Sequence, residues 1–139
     1  AAAARADLPP QPLSPVYTAE CASCHVAYPP ALLPAASWRR VMAGLDRHYG
    51  VDASLDAATA REIAAWLDAR AGTYRKVRRD AAPPPEDRIT RSPWFLREHD
   101  EVPAATWRRA DVRSPANCIA CHRRADEGLY DEHDIRIPR

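Results

Sequence analysis

The sequence predicts an all-α fold with extensive loops, and three observations indicate this class. Apolar residues recur every three to four positions in several short segments, for example at Trp38, Val41 and Leu45, which is the spacing of one helix face. No segment of the sequence shows the strict alternation of apolar and polar residues that a half-buried strand requires. Fourteen prolines in 139 residues interrupt the helices and leave much of the chain to loops.

The first half of the chain carries signals for three helices. Prolines between positions 9 and 15 predict an extended arm, and residues 16–25 are then expected to form a short helix. Ser37 is a suitable N-cap for a second helix that ends at Gly50. A third helix is expected to begin near Ser54 or Asp56 and to end at about Arg70. We expect these helices to form one compact unit.

The second half begins after a change in composition. A basic run at residues 75–79 is followed by Pro83-Pro84-Pro85, which predicts a linker in the polyproline conformation. The predicted domains are therefore residues 1–80 and residues 81–139. Ser92-Pro93 and Ser114-Pro115 each combine an N-cap with proline at the first helical position. We therefore expect two more helices, the second of which ends at Gly128.

Two copies of the pattern C-x-x-C-H, Cys21 to His25 and Cys118 to His122, contain all four cysteines. This pattern is the attachment signature of c-type haem, in which two thiols bond to the porphyrin and the adjacent imidazole ligates the iron. On a helix, cysteines three residues apart share one face and can reach the same macrocycle. The sequence thus predicts two covalently bound haem c groups, with thioether bonds from Cys21, Cys24, Cys118 and Cys121 and iron ligation by His25 and His122.

Two other chemistries use the same cysteine pattern. A zinc ribbon would place its two C-x-x-C knuckles about 15–20 residues apart, a far shorter separation than this chain has, and it would leave both following histidines without a role. Structural disulfides would leave the same histidines unexplained. Haem attachment is therefore the preferred interpretation of both motifs.

Each predicted haem iron has a sixth position, and the side chains that could fill these positions are His48, His99, His133 and Met42. A single methionine cannot complete two haems, so at least one iron is bis-histidine or open. On a continuous second helix, Met42 and His48 point about 120° apart. Only His48 then shares the apolar face, so we expect it to ligate the iron of the first haem, opposite His25.

For the second haem, the sequence neighbours of His99 and His133 indicate which of the two is the sixth ligand. His99 follows Phe95 on one face of a helix that begins at Pro93. His133 lies in an acidic and solvated stretch. We therefore expect His99 to ligate the iron opposite His122, with His133 as the alternative.

Charge and hydropathy argue against a nucleic-acid partner and a membrane span, and the haem motifs imply export. The formal charge of +1, combined with about −1 from each ferric haem with ionised propionates, leaves the protein near neutrality. That balance does not indicate a nucleic-acid partner. No stretch reaches the ~18 apolar residues of a membrane span, and Ala1 to Pro12 has the composition of a mature N-terminus after processing. Because c-type haem is attached outside the bacterial cytoplasm, we expect a periplasmic protein, with a monomer as the default.

Two histidines on each iron favour electron transport over catalysis. Histidine in place of methionine lowers the haem potential, and a six-coordinate iron has no vacant position for a substrate. We therefore expect an electron-transfer protein and not an enzyme. The alternative is a haem enzyme of the peroxidase or nitrogen-oxide reductase type, in which one haem opens to bind substrate.

With these features assembled, the chain resembles the small dihaem cytochromes c usually called DHC, over nearly its whole length. In the first half, the resemblance is carried by Cys21 to His25, Trp38 to Met42, His48-Tyr49-Gly50 and the helix with Ile63, Trp66 and Leu67. In the second half, it is carried by Arg88-Ile89-Thr90, Trp94-Phe95, His99, Asn117 to His122 and Ile135 to Pro138.

The resemblance implies an N-terminal unit like a class I cytochrome c and a smaller, irregular C-terminal haem-binding unit. It implies two bis-histidine haems, with the sixth ligands at His48 and His99. It also implies a soluble, oxygen-binding monohaem cytochrome as the electron acceptor, and a membrane cytochrome b or another quinol-linked protein as the donor.

Overall fold

The computed structural model describes residues 8–139, so residues 1–7 of the predicted mature N-terminus lie outside the described residues. The helices in this range are α1 (Pro15–Cys21), α2 (Ala35–Ala43), α3 (Ala57–Arg70), α4 (Arg75–Arg79), α5 (Pro93–Glu98) and α6 (Ala104–Trp107). Seven short 3-10 turns lie between and after them in the described chain. Residues 8–139 contain no β-strand, only isolated bridges between His48 and Val51 and between His122 and Ile135. The predicted all-α class with extensive loops is confirmed.

The described chain forms two compact units. One comprises the residues up to Pro29 together with Phe95–Arg139, and the other comprises Pro30–Trp94. These units divide the chain at other positions than the predicted boundary near residue 80. The assignment of one haem each to residues 1–80 and 81–139 therefore stays a prediction.

Helices α2 and α3 pack together in the unit Pro30–Trp94. Asp56 caps α3 by accepting a hydrogen bond from the backbone N–H of Thr59 at 3.2 Å, which confirms the predicted start of this helix. Ile63 and Leu67, one turn apart on α3, are each 1 % exposed. Full burial of such side chains contributes about 1.5–3 kcal/mol each. The α2–α3 contact therefore forms the core of this unit.

Helix α2 begins and ends earlier than predicted. Pro34 is its N-cap, with an extended backbone (φ −67°, ψ 157°), and its carbonyl accepts the first backbone hydrogen bond from Ser37 at 3.0 Å. Ser37, the predicted N-cap, lies inside the helix and is fully buried. The helix ends at Ala43, before Gly44. The predicted continuous helix to Gly50 is therefore wrong.

The predicted polyproline linker belongs to the same unit. Its basic run forms α4, whose Val77 is buried. After the three prolines, Asp87 accepts two hydrogen bonds from the Arg40 guanidinium, at 2.8 and 2.7 Å. This segment is thus fixed to α2 by a bidentate ion pair, a geometry that the composition of the segment did not indicate.

The other unit joins the N-terminal residues to the C-terminal part of the chain. Ser14 caps α1, and Tyr17 of α1 is 3 % exposed. The backbone N–H of Gln11 donates to the carbonyl of Gly128 at 3.1 Å. Val112 is fully buried in the long C-terminal loop region. This unit contains both C-x-x-C-H motifs and His99.

Candidate haem sites

The first motif begins where α1 ends. Cys21 is the last residue of α1, and Cys24 and His25 follow in a turn, so the predicted helix through residue 25 is four residues too long. Nδ1 of His25 lies 2.7 Å from the carbonyl oxygen of Val26. A backbone carbonyl can only accept, so Nδ1 carries the proton and Nε2 keeps its lone pair. An imidazole held in this tautomer is a ready metal ligand.

The second motif folds as a single 3-10 turn. Cys118–Ala120 is the 3-10 segment, and the backbone N–H of His122 donates to the carbonyl of Cys118 at 2.8 Å. The predicted α-helix from Ser114 to Gly128 is wrong. Side chains three residues apart nevertheless align in a 3-10 turn, so Cys118 and Cys121 still lie on the same side of the turn.

One ring nitrogen of His122 lacks a hydrogen bond from the described residues around it. Its Nδ1 is buried and has no hydrogen-bond partner among the described residues. Burial, followed by the charge of His99, lowers the pKa of His122 to about 4. The imidazole is therefore neutral at pH 7, which is the form that binds metal.

His99 lies next to His122 and is held as a ligand would be. Its Nδ1 lies 2.8 Å from the carbonyl oxygen of Phe95. Because that oxygen can only accept, Nδ1 carries the proton and Nε2 is unprotonated. Its ring stacks on Phe95 at a centroid distance of 3.9 Å. The predicted helix from Pro93 is confirmed, since α5 covers Pro93–Glu98 and the backbone N–H of His99 continues it by donating to Phe95 at 3.1 Å.

The separation of the His99 and His122 rings fits one metal ion between them. Their centroids are 6.2 Å apart, with an interplanar angle of 68°. Two metal–imidazole bonds of about 2 Å, plus roughly 1 Å from each bonded nitrogen to its ring centre, add to about 6 Å. Of the residues predicted for the second haem, the structure thus brings together His99, His122 and the Cys118–Cys121 turn.

His133 is in a different environment. Its side chain is 82 % exposed, and its Nδ1 lies 2.7 Å from Oδ1 of Asp131. The hydrogen bond to Asp131, and then the carboxylate charge, raise the pKa of His133. A histidine that is stabilised in its protonated form in solvent is a weaker candidate for the iron than His99.

His48 occupies a tight turn and not a helix face. Helix α2 has ended, residues 45–47 form a 3-10 turn, and His48 follows it. The argument that separated His48 from Met42 by their angle on one helix is therefore wrong in its geometry. His48 belongs to the unit Pro30–Trp94, and its assignment to the first haem stays a prediction.

Tyr49, which the resemblance includes without assigning it a role, holds this turn. The hydroxyl of Tyr49 donates to the carbonyl of Glu86 at 2.9 Å, and it lies 3.3 Å from the carbonyl of Asp87. The guanidinium of Arg88 lies 4.4 Å from the centre of the Tyr49 ring. Tyr49 has a φ of +50°, a left-handed conformation that sequence patterns do not reveal.

Three tyrosines surround the two motifs: Tyr17 is buried, and Tyr28 and Tyr130 are half-buried. The hydroxyl of Tyr17 donates to the carbonyl of Tyr28 at 2.7 Å. Tyr28 stacks on His25, and the ring of Tyr130 lies 5.2 Å from that of His122. Burial raises the pKa of all three phenols. They therefore stay protonated and neutral in the physiological pH range. No role was predicted for Tyr28, and its closeness to the first motif in the sequence was the available signal.

The thiols fit thioether formation better than either alternative. All four cysteines are free, so no disulfide joins the knuckles. Within residues 8–139, no group of three or more His, Cys, Asp or Glu side chains could hold a metal ion, which argues against a zinc ribbon. Burial raises the pKa of Cys21 and of Cys118 to about 11.

None of the helices in residues 8–139 has the length and the apolar composition that a membrane span requires.

Comparison with known proteins agrees with this arrangement. The family model described as "Dihaem cytochrome c" matches residues 17–130. A search of the curated proteins found no match. Diheme cytochromes c from two organisms are among the solved structures that resemble the chain.

The chain resembles a diheme cytochrome c from Rhodobacter sphaeroides, with 42 % identity over 88 % of this chain and 100 % of that one, at a TM-score of 0.78. It also resembles the diheme cytochrome c of Shewanella baltica OS155, with 38 % identity over 89 % of this chain and 92 % of that one, at a TM-score of 0.76. A further structure, of DHC purified from Rhodobacter sphaeroides, is 42 % identical over 86 % of this chain and 99 % of that one, at a TM-score of 0.72.

Proposed function

The chain belongs to the dihaem cytochrome c family and carries two covalently attached haem c groups, and from this premise we propose that both haems are low-potential, bis-histidine electron-transfer centres. Cys21 and Cys24 would hold the first haem, and Cys118 and Cys121 the second. Bound haem supplies an iron that changes oxidation state by one electron. The protein residues fix the ligands and exclude other reactions.

One observation carries this proposal: the ring centres of His99 and His122 lie 6.2 Å apart, a spacing that fits a single iron between them. Phe95 fixes His99 through its carbonyl oxygen and its ring. An imidazole held in this way cannot easily swing aside to admit a substrate. With both histidines held on its iron, a bound haem would have no position left for another molecule.

We propose that His25 and His48 would hold the iron of the first haem. The supply of ligands supports this assignment, because with His99 and His122 at the second haem and His133 paired with Asp131, the histidine that remains is His48. Its backbone is fixed within its own unit by Val51. Under this assignment, every ligand of the first haem lies in residues 1–80 and every ligand of the second lies in residues 81–139, as predicted.

Histidine in place of methionine keeps both potentials low, because a methionine ligand is the one that raises the potential of cytochromes c. We propose that the protein is a periplasmic monomer that is not an enzyme. As the family resemblance implies, its acceptor would be a soluble oxygen-binding monohaem cytochrome, and its donor a membrane cytochrome b or another quinol-linked protein. Covalent haem attachment outside the cytoplasm supports this location.

Ligand variants of the intact holoprotein test the assignment at the second haem. In His99→Ala, we expect half of the iron to lose its low-spin spectrum and to bind carbon monoxide after reduction. The matched variant His133→Ala should keep both low-spin haems, because its imidazole lies in solvent beside Asp131. Loss of the low-spin spectrum in His133→Ala, together with its retention in His99→Ala, would reverse the assignment.

A further inference from the structure

Tyr130 lies beside His122, the motif histidine of the second haem. We propose that Tyr130 is a positioning residue for this ligand: in the haem-loaded protein its hydroxyl accepts a hydrogen bond from Nδ1 of His122 and lowers the reduction potential of the second haem. This inference rests on the proposed electron-transfer function and deepens it. Both residues lie in the unit that contains the two motifs.

The chain that follows the second motif turns back and holds Tyr130 against it. Directly before Tyr130, the backbone N–H of Leu129 donates to the carbonyl of Arg124 at 3.1 Å. After Tyr130, the backbone N–H of Arg136 donates to the carbonyl of Cys121 at 2.8 Å. The segment that carries the phenol is therefore tied to the motif, or to the residues next to it, on both sides in sequence.

The rings of Tyr130 and His122 are neighbours, and each carries one buried polar atom. Their centroids are 5.2 Å apart, with an interplanar angle of 50°. Neither Nδ1 of His122 nor the hydroxyl oxygen of Tyr130 has a hydrogen-bond partner among residues 8–139. Buried polar atoms in native proteins nearly always have a partner. Two such atoms in neighbouring rings can satisfy one another.

The chemistry of a haem ligand makes these two atoms complementary. When Nε2 of His122 ligates iron, Nδ1 carries the ring proton and can only donate. Burial, followed by the charge of Cys118, raises the pKa of Tyr130, so its hydroxyl stays uncharged and keeps lone pairs that can accept. The sulfur of Cys118, once it is a thioether, has no proton to donate to this hydroxyl. The lone pairs of Tyr130 therefore remain available to His122.

Two of the other proposed ligands have a backbone acceptor instead. Nδ1 of His25 lies 2.7 Å from the carbonyl oxygen of Val26, and Nδ1 of His99 lies 2.8 Å from that of Phe95. A hydrogen bond from Nδ1 raises the basicity of a metal-bound imidazole, which stabilises ferric iron and lowers the potential. A substitution cannot remove a backbone carbonyl, but it can remove the hydroxyl of Tyr130. The potential of the second haem should therefore depend on this one side chain.

Tyr130→Phe removes the hydroxyl and keeps the ring beside His122. Tyr17→Phe is the matched control, because it deletes another phenol hydroxyl of the same unit, one that donates to the carbonyl of Tyr28 at 2.7 Å. Redox titrations of the intact holoprotein, followed by nuclear magnetic resonance, give the potential of each haem from its own methyl resonances. The Nδ1–H resonance of His122 in the diamagnetic ferrous protein, and its rate of exchange with solvent, report on the hydrogen bond itself.

We expect Tyr130→Phe to raise the potential of the second haem, so that the ratio of ferrous to ferric iron at a fixed applied potential increases several-fold. The first haem should keep its potential. The Nδ1–H proton of His122 should move upfield and exchange faster with solvent. In Tyr17→Phe, the potential of the second haem and this resonance should stay close to their wild-type values.

An unchanged potential of the second haem in Tyr130→Phe, or an equal rise in Tyr17→Phe, would overturn the inference. Either outcome would leave the proposed function standing if the wild type is reversibly reduced at two closed haems. Failure of the wild type to take up and release electrons in this way would instead overturn the proposed function.

Discussion

His48 and Val51 exchange both of their backbone hydrogen bonds, with N–O distances of 2.8 and 3.0 Å. The two residues between them, Tyr49 and Gly50, have φ values of +50° and +87°. Positive φ at both central positions is the conformation of a type I′ turn. The backbone of the proposed ligand His48 is therefore fixed by a rigid turn, and Tyr49 anchors that turn to residues 86–88.

Tyr49→Phe tests this anchor. The change removes the hydroxyl that donates to the Glu86 carbonyl and keeps the ring beneath Arg88. Loss of a hydrogen bond of this kind costs about 1 kcal/mol, so we expect a lower urea midpoint for the holoprotein. If His48 ligates the first iron, a fraction of that haem should also become reactive to carbon monoxide after reduction. An unchanged urea midpoint together with two fully closed haems would contradict the anchoring role.

The Arg40–Asp87 ion pair predicts a pH-dependent stability. The hydrogen bond from Arg40 holds the pKa of Asp87 below its usual value, and the Asp87 side chain is only 15 % exposed. A carboxyl with a lower pKa in the folded state stabilises the protein above its unfolded pKa, and this stability is lost as the pH falls through the folded pKa. We expect Asp87→Asn to be less stable than the wild type at pH 7, with the difference shrinking below about pH 4.

Asp111→Asn is the control for that experiment. Asp111 also forms a bidentate pair, with Arg109 at 2.9 Å, but its side chain is 56 % exposed. Exposed ion pairs contribute little to stability, so its urea midpoint should change little with pH relative to the wild type. A pH-independent loss of stability in Asp87→Asn would contradict the electrostatic explanation.

Gly128 occupies a position that should not accept a larger side chain. A Cβ atom there would overlap with the carbonyl oxygen of Gln11, and the φ of Gly128 is +74°. We expect Gly128→Ala to lower the stability of the holoprotein by at least about 2 kcal/mol, because steric overlap adds to the left-handed strain. At Gly50, with a φ of +87° and no atom within 4 Å of an added Cβ, alanine should cost about 1–2 kcal/mol from strain alone. Equal urea midpoints for the two variants would contradict this comparison.

Removal of haem should unfold much of the chain. A small domain buries too little apolar surface to offset the conformational entropy of folding, and the side chains around both motifs are arranged about their histidines and cysteines. We expect the haem-free chain, made without covalent attachment, to show a largely unfolded circular dichroism spectrum. A near-native spectrum of the haem-free chain would contradict this expectation.

The sequence predicted what depends on short local patterns. The C-x-x-C-H motifs, the Asp56 cap of α3 and the Ser92-Pro93 start of α5 each need only a few adjacent residues. It predicted the end of α3 at Arg70, but it did not predict where α1 and α2 stop. Residues 37–50 have a helical periodicity, but α2 ends at Ala43 because the chain must turn at Gly44 and again at the positive-φ pair that follows His48.

Contacts between residues far apart in the chain were also not predicted from the sequence. The polyproline segment was predicted to be a linker, whereas Asp87 pairs with Arg40, 47 residues away. The contact between Tyr28 and Ala116 spans 88 residues. Local composition carries no information about such partners. The preference for His99 over His133, by contrast, followed from the apolar and acidic neighbours that the structure shows around them.

The most direct test of the central claim is an optical spectrum of the dithionite-reduced holoprotein, recorded before and after the addition of carbon monoxide. Two closed bis-histidine haems predict sharp c-type bands that the gas leaves unchanged. A shift in part of the Soret band would show that one iron is open or readily opened. That result would contradict the proposed electron carrier and would favour a haem enzyme.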